Sequence, residues 1–232
     1  RESNEYPSKI SPFFHPPAII VPSYLRQVPF AFLPHPFTLR ISLLELSKGR
    51  DSMYEELTKF YQDEIFTCSL CKQKLMNPYL HHNPKHDPPN HSLAANRRKF
   101  QLDYIASKTQ VQIAVVGEAP GLDGCGYGGI AFTGEYNAVL DLGLPNYHGT
   151  QTGWQKEQSA NVLYGAIKTY CEETGVTLAA ANSRLYFTNG IMCVPLGENG
   201  RSITSPAANT LNQCRRNFRR QIDILKPRLL VT

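Results

Sequence analysis

VQIAVVGEAPG, residues 111–121, is the stretch on which the fold turns. The apolar run VQIAVV ends at Gly117, and a short branched run of this kind is a strand buried on both faces, as in a parallel sheet. GEAPG then turns the chain at the strand's carboxyl end, the edge where open α/β sheets carry their chemistry. Downstream, a glycine-rich loop (117–134) leads into EYNAVLDLGL, which has a helical pattern. SANVLYGAIKTYCEE (159–173) is a second helix, with Ser159 as its cap and Gly175 as its stop. LYFTNGIMCV (185–194) is a second buried strand, residues 207–226 form a long helix, and PRLLVT begins a third strand. Strand, helix, strand, helix, strand predicts an α/β fold: a three-layer α/β/α sandwich around a central parallel sheet.

Upstream the pattern differs. Residues 1–50 contain Pro7, Pro12, Pro16, Pro17, Pro22, Pro29, Pro34 and Pro36, which leave little room for regular structure. Apolar pairs such as Phe13-Phe14 and Ile19-Ile20 suit an arm that packs along a surface. Residues 51–66 have amphipathic helical spacing, with Leu57, Phe60, Tyr61 and Ile65 on one face. Residues 67–99 hold Cys68, Cys71, His81, His82, His86 and His91 among four prolines. Such an irregular segment is expected to be held by something other than a hydrophobic core, and metal is the first candidate. The expected organisation is an arm (1–50) followed by one α/β domain (51–232) that includes this segment.

Composition narrows the class. The 232 residues are 41% hydrophobic and 19% charged, which excludes disordered and fibrous proteins. A net charge of +5 permits an anionic partner such as nucleic acid without requiring one. No apolar run approaches the length of a membrane span. Six cysteines are too few for a disulfide scaffold, so the C-x-x-C at Cys68 and Cys71 points to metal or redox chemistry. No signal or transit peptide is recognisable, and a monomeric, cytoplasmic, DNA-associated protein is expected. The chain begins with Arg1 and stops within a strand-like run, so a fragment of a longer protein is expected too.

Two patterns compete for the glycine loop. Gly124-x-Gly126-x-x-Gly129 matches the dinucleotide fingerprint literally, with Asp141 in the region of a ribose-binding acid. That fingerprint needs its first glycine at the strand-to-helix turn, where GEAPG stands instead, so nucleotide binding is disfavoured. GEAPG offers Glu118 and free backbone amides. Phe132 follows in the same loop, and Asn189 ends the next strand. An aromatic ring and an amide converging on one sheet edge are the components of a base pocket: the ring stacks on the heterocycle and the amide reads its edge.

In order along the chain, VVGEAPG (115–121), GIAFTGE (129–135), TNGIMCVP (188–195) and Cys214 before QIDILKPRLLV (221–231) resemble the uracil-DNA glycosylase superfamily, and within it the iron–sulfur branch called family four. The resemblance covers about residues 64–232. It implies a DNA-repair hydrolase that flips uracil out of DNA and cleaves its N-glycosidic bond. It implies that Gly117, Glu118, Ala119, Pro120 and Gly121 bind the sugar and the uracil O2 region and position water. Phe132 would stack on the base, and Asn189 would bond its O4 and N3 edge. Ala119 stands where the best-known branch has a water-activating Asp, leaving Glu118 as the motif's only carboxylate. This suits a dissociative reaction governed by stabilisation of the leaving anion.

The same resemblance implies a four-iron, four-sulfur cluster held by Cys68, Cys71, Cys193 and Cys214, although both intervening gaps are longer than expected. Zinc held by Cys68, Cys71, His82 and His86 remains the alternative, because that spacing approaches a zinc site. Cys125 and Cys171 are ordinary thiols on this view, and Trp154 and Tyr164 ordinary packing aromatics. Asn199 and Arg201 lie in a loop that resembles the family's DNA-contacting loop, and Arg215, Arg216, Arg219 and Arg220 form either a second basic patch or a solvated helix face. The family carries a further H-P-S type motif beyond the third strand, past Thr232. Without its His, this chain is expected to excise uracil poorly, and a non-catalytic nucleic-acid-binding relative with a structural metal site is the rival expectation.

Overall fold

The computed structural model describes residues 53–70, 75–149 and 157–232. The expected arm, Cys71 and Trp154 lie outside the described residues. In chain order, helix α1 (53–60) runs into a π-helical turn, Tyr61–Ile65. Then come β1 (Leu75–Met76), α2 (Ala94–Ala106), β2 (Ile113–Gly117), α3 (Cys125–Gly128), α4 (Glu135–Leu140), α5 (Gln158–Thr174) and α6 (Leu178–Asn182). β3 (Leu185–Asn189), β4 (Val194–Pro195), α7 (Ala208–Leu225) and β5 (Leu229–Val231) complete the set.

β2 is the centre of a parallel sheet of order β3-β2-β5. Its register sets Ile113 beside both Leu185 and Leu229, and Gly117 beside Asn189. The expected parallel α/β sheet is therefore present, with GEAPG and Asn189 leaving the same edge. Successive strand residues face opposite sides, and β3 shows what covers each side. Tyr186 and Thr188 meet α1's π-turn and α7 through Tyr61 and Gln221. Phe187 meets Phe132 and α5's Tyr164 on the other side. That makes three layers. The outer edge of β3 is covered as well, because the Phe187 N–H donates to the Tyr104 hydroxyl of α2 at 2.7 Å.

The helices follow their burial patterns. α5 buries Ala160, Tyr164 and Ile167, spaced as one helical face, and ends at Gly175 in the left-handed conformation. Its cap is Glu157 rather than Ser159, whose hydroxyl instead donates to Glu157 Oε1 at 2.6 Å. α7 buries Thr210, Cys214, Asn217, Gln221, Ile224 and Leu225, which leaves its arginines outward. It stops at Lys226, left-handed at φ 45, just before Pro227. α2 has a weak apolar period, and no helix is expected there from sequence.

Its Arg97 explains how the Cys/His-rich segment is held. Arg97 is fully buried and grips Asp87 through two bonds, at 2.7 and 3.0 Å, while also donating to the carbonyls of Pro78 and His81. Asp87 accepts further from the amides of Asn83 and Leu93. Burial alone would raise the Asp87 carboxyl, but the Arg97 guanidinium and these amides outweigh it and hold it below the usual range. Asn77 ties the carbonyls of Ile65 and Cys68, and Asn83 ties those of Leu122 and Gly126 in the glycine loop. Over residues 77–97, buried polar pairs replace a hydrophobic core.

Candidate functional site: a cavity at the sheet edge

The carboxyl ends of β2 and β3 are stitched together beyond the ladder, where Gly190 N–H donates to Gly117 O at 2.7 Å and Ile191 N–H to Glu118 O at 3.2 Å. A cavity of about 570 Å³ opens above them. Gly117, Glu118, Ala119, Pro120 and Gly121 form its floor, with Phe132 and Asn189 beside them. Glu157, Ser159, Pro195 and residues 203–206 close the far side. Its volume lies within the usual range for small-ligand sites. Phe132 and Asn189 both press on Gly117: a β-carbon there would stand 2.6 Å from Asn189 Oδ1 and 2.8 Å from Phe132 Cζ. Only glycine fits.

Phe132 holds this position at a cost. Its backbone is left-handed, φ 53, unusual for an aromatic residue and worth about 1–3 kcal/mol of strain. Its ring packs edge-on against Phe187. Asn189 is buried, and its amide bonds no other side chain among the described residues. Behind it, Thr188 donates to Gln221 Oε1 at 2.6 Å, and Gln221 donates to the hydroxyls of Tyr61 and Tyr186. Gln101 also donates to Tyr186. This buried network ties the end of β3 to three helical elements. Ala119 and Gly121 line the cavity, and their amides have no acceptor among the described residues. Glu118 is exposed at the rim.

The loop glycines have structural reasons. Gly126 approaches the Gly121 carbonyl, where a β-carbon would stand 2.6 Å from the oxygen, and Gly129 is left-handed, φ 82, against the Arg97 backbone. The fingerprint-like spacing is therefore close packing.

The pattern of the uracil DNA glycosylase superfamily matches residues 102–232, more than half of the chain. The chain belongs to that superfamily. A solved structure of Pedobacter heparinus SMUG2 has the same fold, with a TM-score of 0.53 and 17% identity over 78% of this chain and 72% of that chain. No curated protein matches significantly.

The GEAPG loop, Phe132 and Asn189 line one cavity, as sequence order anticipates. Asn199 is used differently: its oxygen accepts from the amides of Arg201 and Ser202 and from the Ser202 hydroxyl, so it shapes the loop. Arg201 is exposed and lines a second cavity of about 660 Å³ beside the first, with Lys85, Asp123 and Glu157. Glu157 belongs to both cavities and carries no signal in the sequence. Of the α7 arginines, Arg220 pairs with Glu64 and lies over Phe60.

Among the described residues, no group of three or more His, Cys, Asp or Glu side chains is arranged to hold a metal. Cys193 and Cys214 are buried, and Cys68 is half-buried. The antiparallel pairing of Met76 with Val194 brings the chain that follows Cys71 alongside Cys193's neighbour. His82 bonds the Pro88 carbonyl at 3.1 Å, and His86 bonds Asp123 at 2.5 Å and packs on Tyr127. No helix among the described residues is long and apolar enough to cross a membrane.

Proposed function

We propose that this protein hydrolyses the N-glycosidic bond of uracil, or a closely related deaminated base, flipped out of DNA. The convergence of Phe132 and Asn189 on Gly117 at the mouth of the cavity carries this reading. The Phe132 ring stacks on the extruded base. Asn189 donates to a carbonyl oxygen and accepts from the adjacent ring N–H, an arrangement that fits uracil and mismatches cytosine. The C1′–N1 bond breaks with its electrons on the base, and the Asn189 amide and the Ala119 and Gly121 amides stabilise the departing anion. Arg201, on the open side, meets backbone phosphates.

Cys68, Cys71, Cys193 and Cys214 would hold an iron–sulfur cluster. In support, Cys193 and Cys214 are buried thiols, and the β1–β4 ladder sets Met76 beside Val194, the residue after Cys193. Its part is to fix the amino-terminal limb against α7, and no chemical step passes through it.

The test is single-turnover cleavage of a uracil-containing oligonucleotide, with alkaline scission at the abasic product. Asn189→Ala should lower the rate ~10²–10³-fold. A rate unaffected by that change would remove the base pocket from its role.

A further inference from the structure

The superfamily reading leaves one chemical part unassigned, since Ala119 puts no carboxylate at the motif's third position. A carboxylate reaches the cavity from the opposite wall. Glu157, the residue before α5, lines both the cavity at the sheet edge and its neighbour. Its Oε1 accepts from Ser159, and its Oε2 is buried without a hydrogen-bond partner among the described residues. The carboxylate lies directly against the Cα of Gly124, where any side chain would collide with it. An acid seated on a glycine, with one oxygen unspent and a cavity in front of it, is held for something other than its own solvation.

We propose, resting on the glycosylase reading above, that Glu157 is the base that takes a proton from the attacking water. As the C1′–N1 bond breaks and its electron pair leaves with the base, the water oxygen bonds to C1′. The water's proton passes to the Glu157 carboxylate. Ser159 holds Oε1, and Oε2 lies against Gly124. Burial raises the Glu157 carboxyl, and Asp123 nearby raises it further, while Ser159 opposes them. This direction suits a base working near neutrality. Among the described residues, the charged and titratable groups around it are the Cys125 thiol of α3, the Tyr164 hydroxyl of α5, Asp123 and Lys85 beside the second cavity, Arg201, and Glu118 in the lining of the first cavity.

Two measurements on the protein test this. In single-turnover excision, Glu157→Gln should fall ~10²-fold and lose the acidic limb of the pH profile, whereas Glu173→Gln, at an exposed position of α5, should keep both. In binding, wild-type protein should prefer an oligonucleotide bearing a cationic pyrrolidine in place of the sugar over one bearing neutral tetrahydrofuran, about tenfold or more, and Glu157→Gln should not. Wild-type excision with Glu157→Gln within threefold overturns the proposal and leaves the glycosylase reading standing. Failure of the wild type to excise defeats that reading instead. The analogue pair then still decides whether the Glu157 carboxylate faces the anomeric position, and equal binding of the two analogues by wild type overturns the proposal.

Discussion

Gly117→Ala isolates the geometry of the pocket from the stability of the fold. The glycine needs no left-handed backbone, so alanine brings one methyl group and nothing else. That methyl would stand 2.6 Å from Asn189 Oδ1 and 2.8 Å from Phe132 Cζ, against 3.4 Å for an ordinary contact. Regaining 3.4 Å from 2.6 Å requires a retreat of about 0.8 Å by a buried amide whose strand end is tied to Gln221 through Thr188. Phe132 has no easier route, because its backbone is already strained. A misplacement of about 1 Å at reacting groups costs ~10² in rate, so single-turnover excision should drop about a hundredfold. The stability cost of slight overpacking is ~1–3 kcal/mol, a Tm decrease of roughly 2–10 °C in a domain of this size. Calorimetry and the gel assay should therefore diverge, with a folded protein and a crippled site. Excision within threefold of wild type in the folded variant would refute the convergence of Phe132 and Asn189 on one substrate base.

Asp87→Ala strands the Arg97 cation in a fully buried position, and denaturant unfolding should show a loss of ~3–5 kcal/mol. Because the Asp87 carboxyl titrates lower in the folded chain than in the unfolded one, the stability it contributes is present above pH ~4 and lost as pH falls through the folded value; melting curves of wild type and Asp87→Ala should converge toward acid. Lys108 is buried, bonds the Asn182 carbonyl and lies over the Tyr104 ring, and burial lowers its pKa, so wild-type stability should rise with pH from that lowered value up to about 10.4, a rise that Lys108→Met removes. Anaerobically purified protein should carry iron and sulfide and lose both on Cys214→Ser; colourless protein with stoichiometric zinc would instead favour Cys68, Cys71, His82 and His86.

The parts of the fold legible in the sequence are those with period and composition behind them. IAVVG and LYFTN are branched or aromatic runs ending at turn residues, and their register makes Gly117 and Asn189 neighbours. The pocket was legible for the same reason, since parallel strands leave one edge. What escaped was specified by single polar contacts. Helix α2 has a weak apolar face because its Arg97 is an internal cation, and nothing local tells a buried arginine from a surface one. The segment around His81–His91 has few apolar residues, and Asn77, Asn83 and Asp87 hold it by bonds whose partners lie up to 43 residues away. Glu157 was invisible because its importance comes from Gly124, more than thirty residues earlier, and from a cavity wall made by loops.

That difference bears on how such a site works. Gly117, Gly124 and Gly126 each bring a side chain or carbonyl closer to the main chain than any other residue would permit. The cavity walls are thus set by backbone approach, with Phe132 strained into place and Asn189 anchored from behind. A site that must stabilise a departing anion benefits from donors fixed before the charge develops, because moving them during the reaction would cost part of what they contribute. Glycines at the contacts and a buried hydroxyl–amide network beneath them provide that rigidity without a large apolar core at the rim. A substitution that relaxes any one contact should therefore lower the rate before it lowers Tm, and Gly124→Ala, whose methyl would press first on the Glu157 carboxylate, should do so while leaving uracil-analogue binding at Phe132 and Asn189 unchanged.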